Sequence, residues 1–348
     1  MSRFSTHLVR STFFAFALFV SQHAEVMAVE IAPLRYSVDV VPNAFVPYAA
    51  SHSFTEPNRN ITRVLFSIHS SDVDAMQYYD NARDAASRVR GALPQTLIVA
   101  PQFLQQTEIP SEIPDGLLFW RSPPYRGSSR AAVGPKVDHV SYSAYAVIDA
   151  WLGELTSPDL FPRLKEIVLV GHSAGGQFVQ RYALVGKFKP ADSITIRFVV
   201  SAPSSYAYTS AERYHTVRRQ FVMPDADTAA NCKDYNNWGY GLGAPYGYFA
   251  DADLDAIAKD YANKNVFYLC GSKDADPNDG AIGKSCGAMM QGMHRLQRMQ
   301  LYAAFLQFKY GKSVTKRHRF AVVPNMGHYG RGTMTSPAGL QALFSPIR

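Results

Sequence analysis

"EIVLVGHSAGGQFVQRY", Glu166 to Tyr182, sets four apolar residues before a knot of small ones around one serine, and an amphipathic run after it. Glycine loses more conformational entropy on folding than any other residue, so Gly171, Gly175 and Gly176 beside Ser173 need a steric reason. "GHSAG" supplies one. In a sharp strand-to-helix turn the serine takes a strained backbone conformation, and the residues two before and two after it crowd each other, so both must be small. The helix that follows places partial positive charge where an oxyanion develops. A bystander serine in a Gly-rich turn is the competing reading. The buried-strand pattern "IVLV" before the turn and the helical "GQFVQRYALV" after it weigh against that alternative.

A serine is a poor nucleophile without a base, and the base needs an orienting group. Ser, then acid, then His is one chain order in which such groups occur. "VVPNMGHYG" (Val322 to Gly330) places His328 past the end of a strand, where catalytic groups of parallel sheets collect. His215, His294 and His318, the other histidines after Ser173, lie in an insertion, within a helical pattern and before a strand. The acid falls in "GSKDADPND" (Gly271 to Asp279). Asp274 is the preferred candidate; Asp276 is the alternative, and the one not used should hold the loop by local hydrogen bonds. These aspartates fail a calcium-loop pattern, which would need Gly at 279 and Glu at 285 where Asp279 and Ser285 stand. No spacing of Cys and His suggests zinc, and no cofactor or metal is expected.

An oxyanion hole takes two backbone N–H groups. Ala174, next to the nucleophile, should give one. The loop after the first core strand, "FSIHSSDVDAMQYY" (Phe66 to Tyr79), should give the other through Ser70 or Ser71. His-Gly is the usual text at this point; His69-Ser70 stands instead. His69 reads as a residue that braces the loop.

Outward from the elbow, short β-rich runs alternate with helical ones. Arg63–His69, Thr96–Phe103, Glu166–Gly171, Ile196–Ala202, Asn265–Gly271 and Arg319–Asn325 read as strands, mostly apolar without interruption, as in strands covered on both faces. Val140–Leu155, Gly175–Gly186 and Met289–Gly311 read as helices. Residues 37–62 should add edge strands. The alternation predicts an α/β fold with a mostly parallel sheet and helices on both faces. An insertion over about 203–262, rich in Gly, Pro and Asn, breaks the rhythm and has the length of a lid or binding loop. Its Tyr206, Tyr208, Tyr235, Trp238, Tyr240, Tyr246 and Tyr248 either form a small core of their own or line a cleft.

The chain has 348 residues, 47% hydrophobic and 18% charged, an ordinary globular composition. Arg3 and Arg10, the apolar "FFAFALFV" (Phe13 to Val20) and "VMA" (Val26 to Ala28) read as a cleavable export leader over 1–28, too short to span a bilayer. Residues 29–348 would then form the mature domain, secreted or periplasmic. Its charge is +6, 33 basic against 27 acidic side chains, which argues against nucleic acid as partner. "KRHR" (Lys316 to Arg319) reads as a solvated edge. No stable membrane insertion is expected. Of three cysteines, Cys270 sits in an apolar run as a free thiol, while Cys232 and Cys286 lie in loop-like text and should pair.

With elbow, acid loop and Gly-His in order, the chain resembles the α/β-hydrolase superfamily over roughly Arg63 to Phe344. The leader and the "IHSSD…Y" loop resemble secreted esterases and depolymerase-like hydrolases. The resemblance implies a sheet of about eight strands and a cofactor-free mechanism in which Ser173, His328 and Asp274 hydrolyse a small or polymeric carboxylic ester. A peptidase or amidase, an acyltransferase, and a silent hydrolase fold that only binds are the alternatives.

Overall fold

The computed structural model describes residues 29–345 except 108, 110, 111, 122–124, 128–130, 136 and 137, and at 138 and 139 the backbone alone. The leader predicted over 1–28 lies outside the described residues. The strand that enters the elbow, Glu166–His172, is buried at all seven positions. It is the middle of an eight-stranded sheet: β1 (Leu34–Ser37), β2 (Phe45–Ala50), β3 (Arg63–Ile68), β4 (Thr96–Pro101), β5 (Glu166–His172), β6 (Thr195–Ser201), β7 (Asn265–Gly271) and β8 (His318–Val323). The spatial order is β1-β2-β4-β3-β5-β6-β7-β8. The first two strands pair antiparallel; every pairing from β4 onward is parallel.

Strand alternation divides the core. Val64, Phe66, Ile68, Leu169 and Val200 face helices α2 (Ala144–Leu155) and α3 (Ala174–Val185), with Trp151 at the centre of an aromatic group. Leu65, Val168, Val170 and Leu269 face α1 (Ala75–Ser87) and the last helix of the chain, Pro337–Phe344. Each such side chain removed from water contributes about 1.5–3 kcal/mol. With both faces covered, the strands have no polar side to show, which is why their text is continuously apolar.

Four differences from the sequence reading have local causes. Helix α1 was not predicted because most of its buried face is alanine, Ala75, Ala82, Ala85 and Ala86 beside Tyr78 and Asn81, and this is weak as a pattern; Asp74 caps it by accepting from the Gln77 N–H at 2.9 Å. The single helix expected over Met289–Gly311 is broken. A short turn, Cys286–Met289, is followed by Gly292 at φ +132°, and the long helix α4 (Arg295–Tyr310) begins only after His294, whose ring accepts from Gln297 N–H. A three-stranded sheet (Leu118–Trp120, Ala131–Val133, Asp138–Val140) and a hairpin (Arg213–His215 with Gln220–Val222) went unread, their strands being three residues each. The run Lys316 to Arg319 is not all solvated edge: His318 is fully buried between the Tyr268 hydroxyl and the Tyr261 carbonyl, and Arg319 lies 4.0 Å over the Phe267 ring.

Candidate active site

Ser173 stands between β5 and α3 with φ +55° and ψ −116°, outside the regions a side chain prefers, at a cost of order 1–3 kcal/mol. The surrounding glycines make that geometry possible. A Cβ on Gly171 would lie 2.2 Å from the Gly175 carbonyl oxygen, and one on Gly175 would lie 2.3 Å from that of Ile68. One on Gly176 would lie 2.5 Å from the Ser201 carbonyl oxygen, so the start of α3 packs directly on β6. The Ser173 N–H donates to that same carbonyl at 2.9 Å.

Asp274 and His328 come from the turns after β7 and β8, on the same carboxyl edge of the sheet. His328 Nδ1 is 2.7 Å from Asp274 Oδ2. Asp274 is buried, and its other oxygen accepts from Arg295 Nη1 at 3.2 Å; the same nitrogen bonds Asp279 at 2.5 Å. Burial alone would raise the Asp274 carboxyl, but the His328 hydrogen bond and the Arg295 charge outweigh it and hold the group below its ordinary value. Asp276 is exposed and accepts from the Asn278 N–H at 2.8 Å, closing its own turn. Thus the structure brings Asp274 to His328, and gives Asp276 the local role.

Two neighbours escaped sequence reading. Arg295, at the first turn of α4, reaches back to Asp274 across 21 positions. His172, the residue before Ser173, lays its ring 4.4 Å from that of His328. His172 is buried with Nδ1 on the Ser201 hydroxyl at 2.9 Å, and burial, with the charge of His328 adding to it, lowers its pKa to about 3. His172 therefore stays neutral and cannot compete as a base. No spacing pattern marks either residue; only the closed sheet brings them in.

Ala174 N–H is at the head of α3. On the facing loop, His69 is fully buried; its Nε2 accepts from Phe103 N–H at 2.8 Å, so its Nδ1 carries the proton and donates to the Ser70 carbonyl at 2.7 Å. Burial lowers the His69 pKa to about 4, so it braces the loop as a neutral ring. The Tyr125 hydroxyl also bonds the His69 and Ser70 carbonyls. Burial raises the Asp72 carboxyl, and nearby backbone N–H groups, that of Asp74 first, partly restore it.

The aromatics of the insertion divide between the two readings. Tyr206 and Tyr208 are core, packed on Tyr302 and Phe305. Trp238, Tyr240 and Tyr246 line a cavity of about 270 Å³ beside α3. Cys232 and Cys286 form a disulfide, and Cys270 is a buried thiol 3.9 Å from Asp274, its pKa pushed up by burial and the Asp274 charge. Among the described residues, no three His, Cys, Asp or Glu side chains are grouped to hold a metal ion, and no helix is long and apolar enough to cross a membrane.

No family model matches the sequence, and no curated protein matches it significantly. Solved structures do. A poly(3-hydroxybutyrate) depolymerase, LpqC, from Bordetella parapertussis is similar at TM-score 0.56 and 19% identity, over 87% of this chain and 85% of that one. Poly(aspartic acid) hydrolase-1 from Sphingomonas sp. KT-1 is similar at TM-score 0.53 and 19% identity, over 88% and 96%. The chain has the α/β-hydrolase fold, with eight mostly parallel strands between helices.

Proposed function

We propose that this chain is an exported serine hydrolase that cleaves a carboxylic ester. One observation carries the proposal: a serine at φ +55° heads a helix, while a histidine bonded to a buried aspartate stands on the same edge of the sheet. In the mechanism Ser173 Oγ attacks the acyl carbon. His328 Nε2 takes the hydroxyl proton and then delivers it to the departing alkoxide. Asp274 holds the proton on Nδ1 and offsets the charge of the imidazolium. The oxyanion takes the Ala174 N–H, with Ser70 or Ser71 as the second donor. Water activated by His328 then hydrolyses the acyl-enzyme.

The leader-like residues 1–28 and the disulfide support export, since disulfides persist in oxidising compartments. The fold neighbours are named for poly(aspartic acid) and poly(3-hydroxybutyrate), and hydrolysis of an acyl linkage is what is carried over from them. The test is Ser173→Ala on p-nitrophenyl butyrate. Turnover should fall at least about 10⁴-fold with an unchanged far-ultraviolet circular dichroism spectrum, and labelling by a fluorophosphonate should vanish. Full turnover in that variant overturns the proposal.

A further inference from the structure

Gln177 and Arg181 share one face of helix α3, four and eight residues after Ser173 at its head. The cavity of about 270 Å³ opens along that face, its far side built by Ser205, Trp238 and Tyr240. That is room for about nine water volumes. Two arginines, Arg126 and Arg181, line it, and among the described residues no carboxylate does.

Arg181 is the unusual member. It is buried, yet among the described residues it has no ion pair. Three of its N–H groups are engaged, all by neutral oxygens: the Arg126 carbonyl at 3.0 Å, the Ser205 hydroxyl at 3.1 Å and the Gly239 carbonyl at 2.9 Å. Nε has no partner. A guanidinium stays protonated in proteins, so an unpaired charge is held out of water here. Arg298 adds to it from behind the wall. That side chain is fully buried, bonded to the carbonyls of Ser204 and Gly283, and likewise has no carboxylate partner among the described residues. The site is also rigid. Gln177 Nε2 donates to the Ser205 hydroxyl at 2.6 Å, the hydroxyl that Arg181 also holds, and the Cys232–Cys286 disulfide ties the insertion to the segment bearing Gly283 and Ala288.

We infer that this cavity seats a carboxylate of the substrate, one to two helical turns, roughly 6–12 Å, from the acyl carbon that Ser173 attacks. The substrate class is then an ester bearing a second, ionised acid group. This rests on the proposed role of Ser173, but the cavity can be tested apart from it.

The experiment compares mono-p-nitrophenyl adipate and suberate with the neutral p-nitrophenyl hexanoate and octanoate. The anionic esters should have kcat/KM higher by about tenfold, the worth of one charge-assisted hydrogen bond, and the ratio should shrink with added salt. Arg181→Gln should bring the ratio close to one; Arg126→Gln, at a more exposed position, should lower it in part. Titration calorimetry of suberate against the neutral, non-hydrolysable 1,8-octanediol, on the wild-type protein, reads the cavity without catalysis. Ester hydrolysis with no preference for the acids, or a preference that survives Arg181→Gln, overturns the inference and leaves the hydrolase proposal standing. Suberate binding lost in Arg181→Gln, with no ester turned over, does the reverse. If Arg181→Gln fails to fold, the wild-type preference, its salt dependence and the Arg126→Gln ratio decide.

Discussion

Arg295 and Arg181 are both buried at the carboxyl edge of one sheet, and the fold treats them in opposite ways. Arg295 sits between Asp274 and Asp279, so its charge is spent inside the protein, on fixing the carboxylate that orients His328. Arg181 meets carbonyls and a hydroxyl, and on the inference above its charge answers to the substrate. On the proposed reading, the difference separates machinery that must be complete before substrate arrives from machinery that substrate completes.

The sharpest way to break the first half of that contrast is Asp274→Asn. It should lower kcat by about 10⁴-fold in steady-state assays, because the amide favours the wrong histidine tautomer. Next comes Arg295→Leu. It leaves two carboxylates facing each other and should cost about 3–5 kcal/mol in urea unfolding. If it costs less than 1 kcal/mol, Arg295 is no more internally committed than Arg181. On the Arg181 side, the disulfide closes a loop of 54 positions, and Cys232→Ser with Cys286→Ser should lower stability by about 4 kcal/mol in the chain-entropy model. It should also blunt the preference for anionic esters more than it slows Ser173 labelling. A further effect concerns protons. His69, His172 and His318 have pKa values lowered to about 4, 3 and 4 by burial. The unfolded chain therefore binds protons that the folded chain refuses. Stability should hold above pH 6.5 and fall below it, by about 1.4 kcal/mol per pH unit for each histidine, until the lowered values are reached. A flat unfolding midpoint from pH 7 to 5 would show these rings to be protonated in the fold.

What could be read from sequence follows the same division. The elbow, the buried strands and the placement of His328 were legible because each is a short, local pattern: glycines two residues either side of a serine, apolar runs, a Gly-His after a strand. Asp274 could be preferred over Asp276 but not separated from it, since both sit in one turn and only the approach of His328 distinguishes them. Arg295, His172 and Arg181 left no mark at all. Their roles depend on what lies opposite once β5 to β8 are side by side, and a lone arginine in a helix reads as surface. The helix break before His294 was hidden for a different reason: Met289, Met290 and Met293 continue a helical pattern that Gly292 interrupts by its backbone alone.

The carbonyl of Ser201 receives the Ser173 N–H, and four residues later the chain from that same strand becomes the Ser205 wall of the cavity. Ser201 thus joins two differently constrained stretches: at its carbonyl a Cβ on Gly176 has no room, while four residues on the wall of the cavity is set by side chains, so a substitution at Ser205 should reshape the cavity without displacing Ser173.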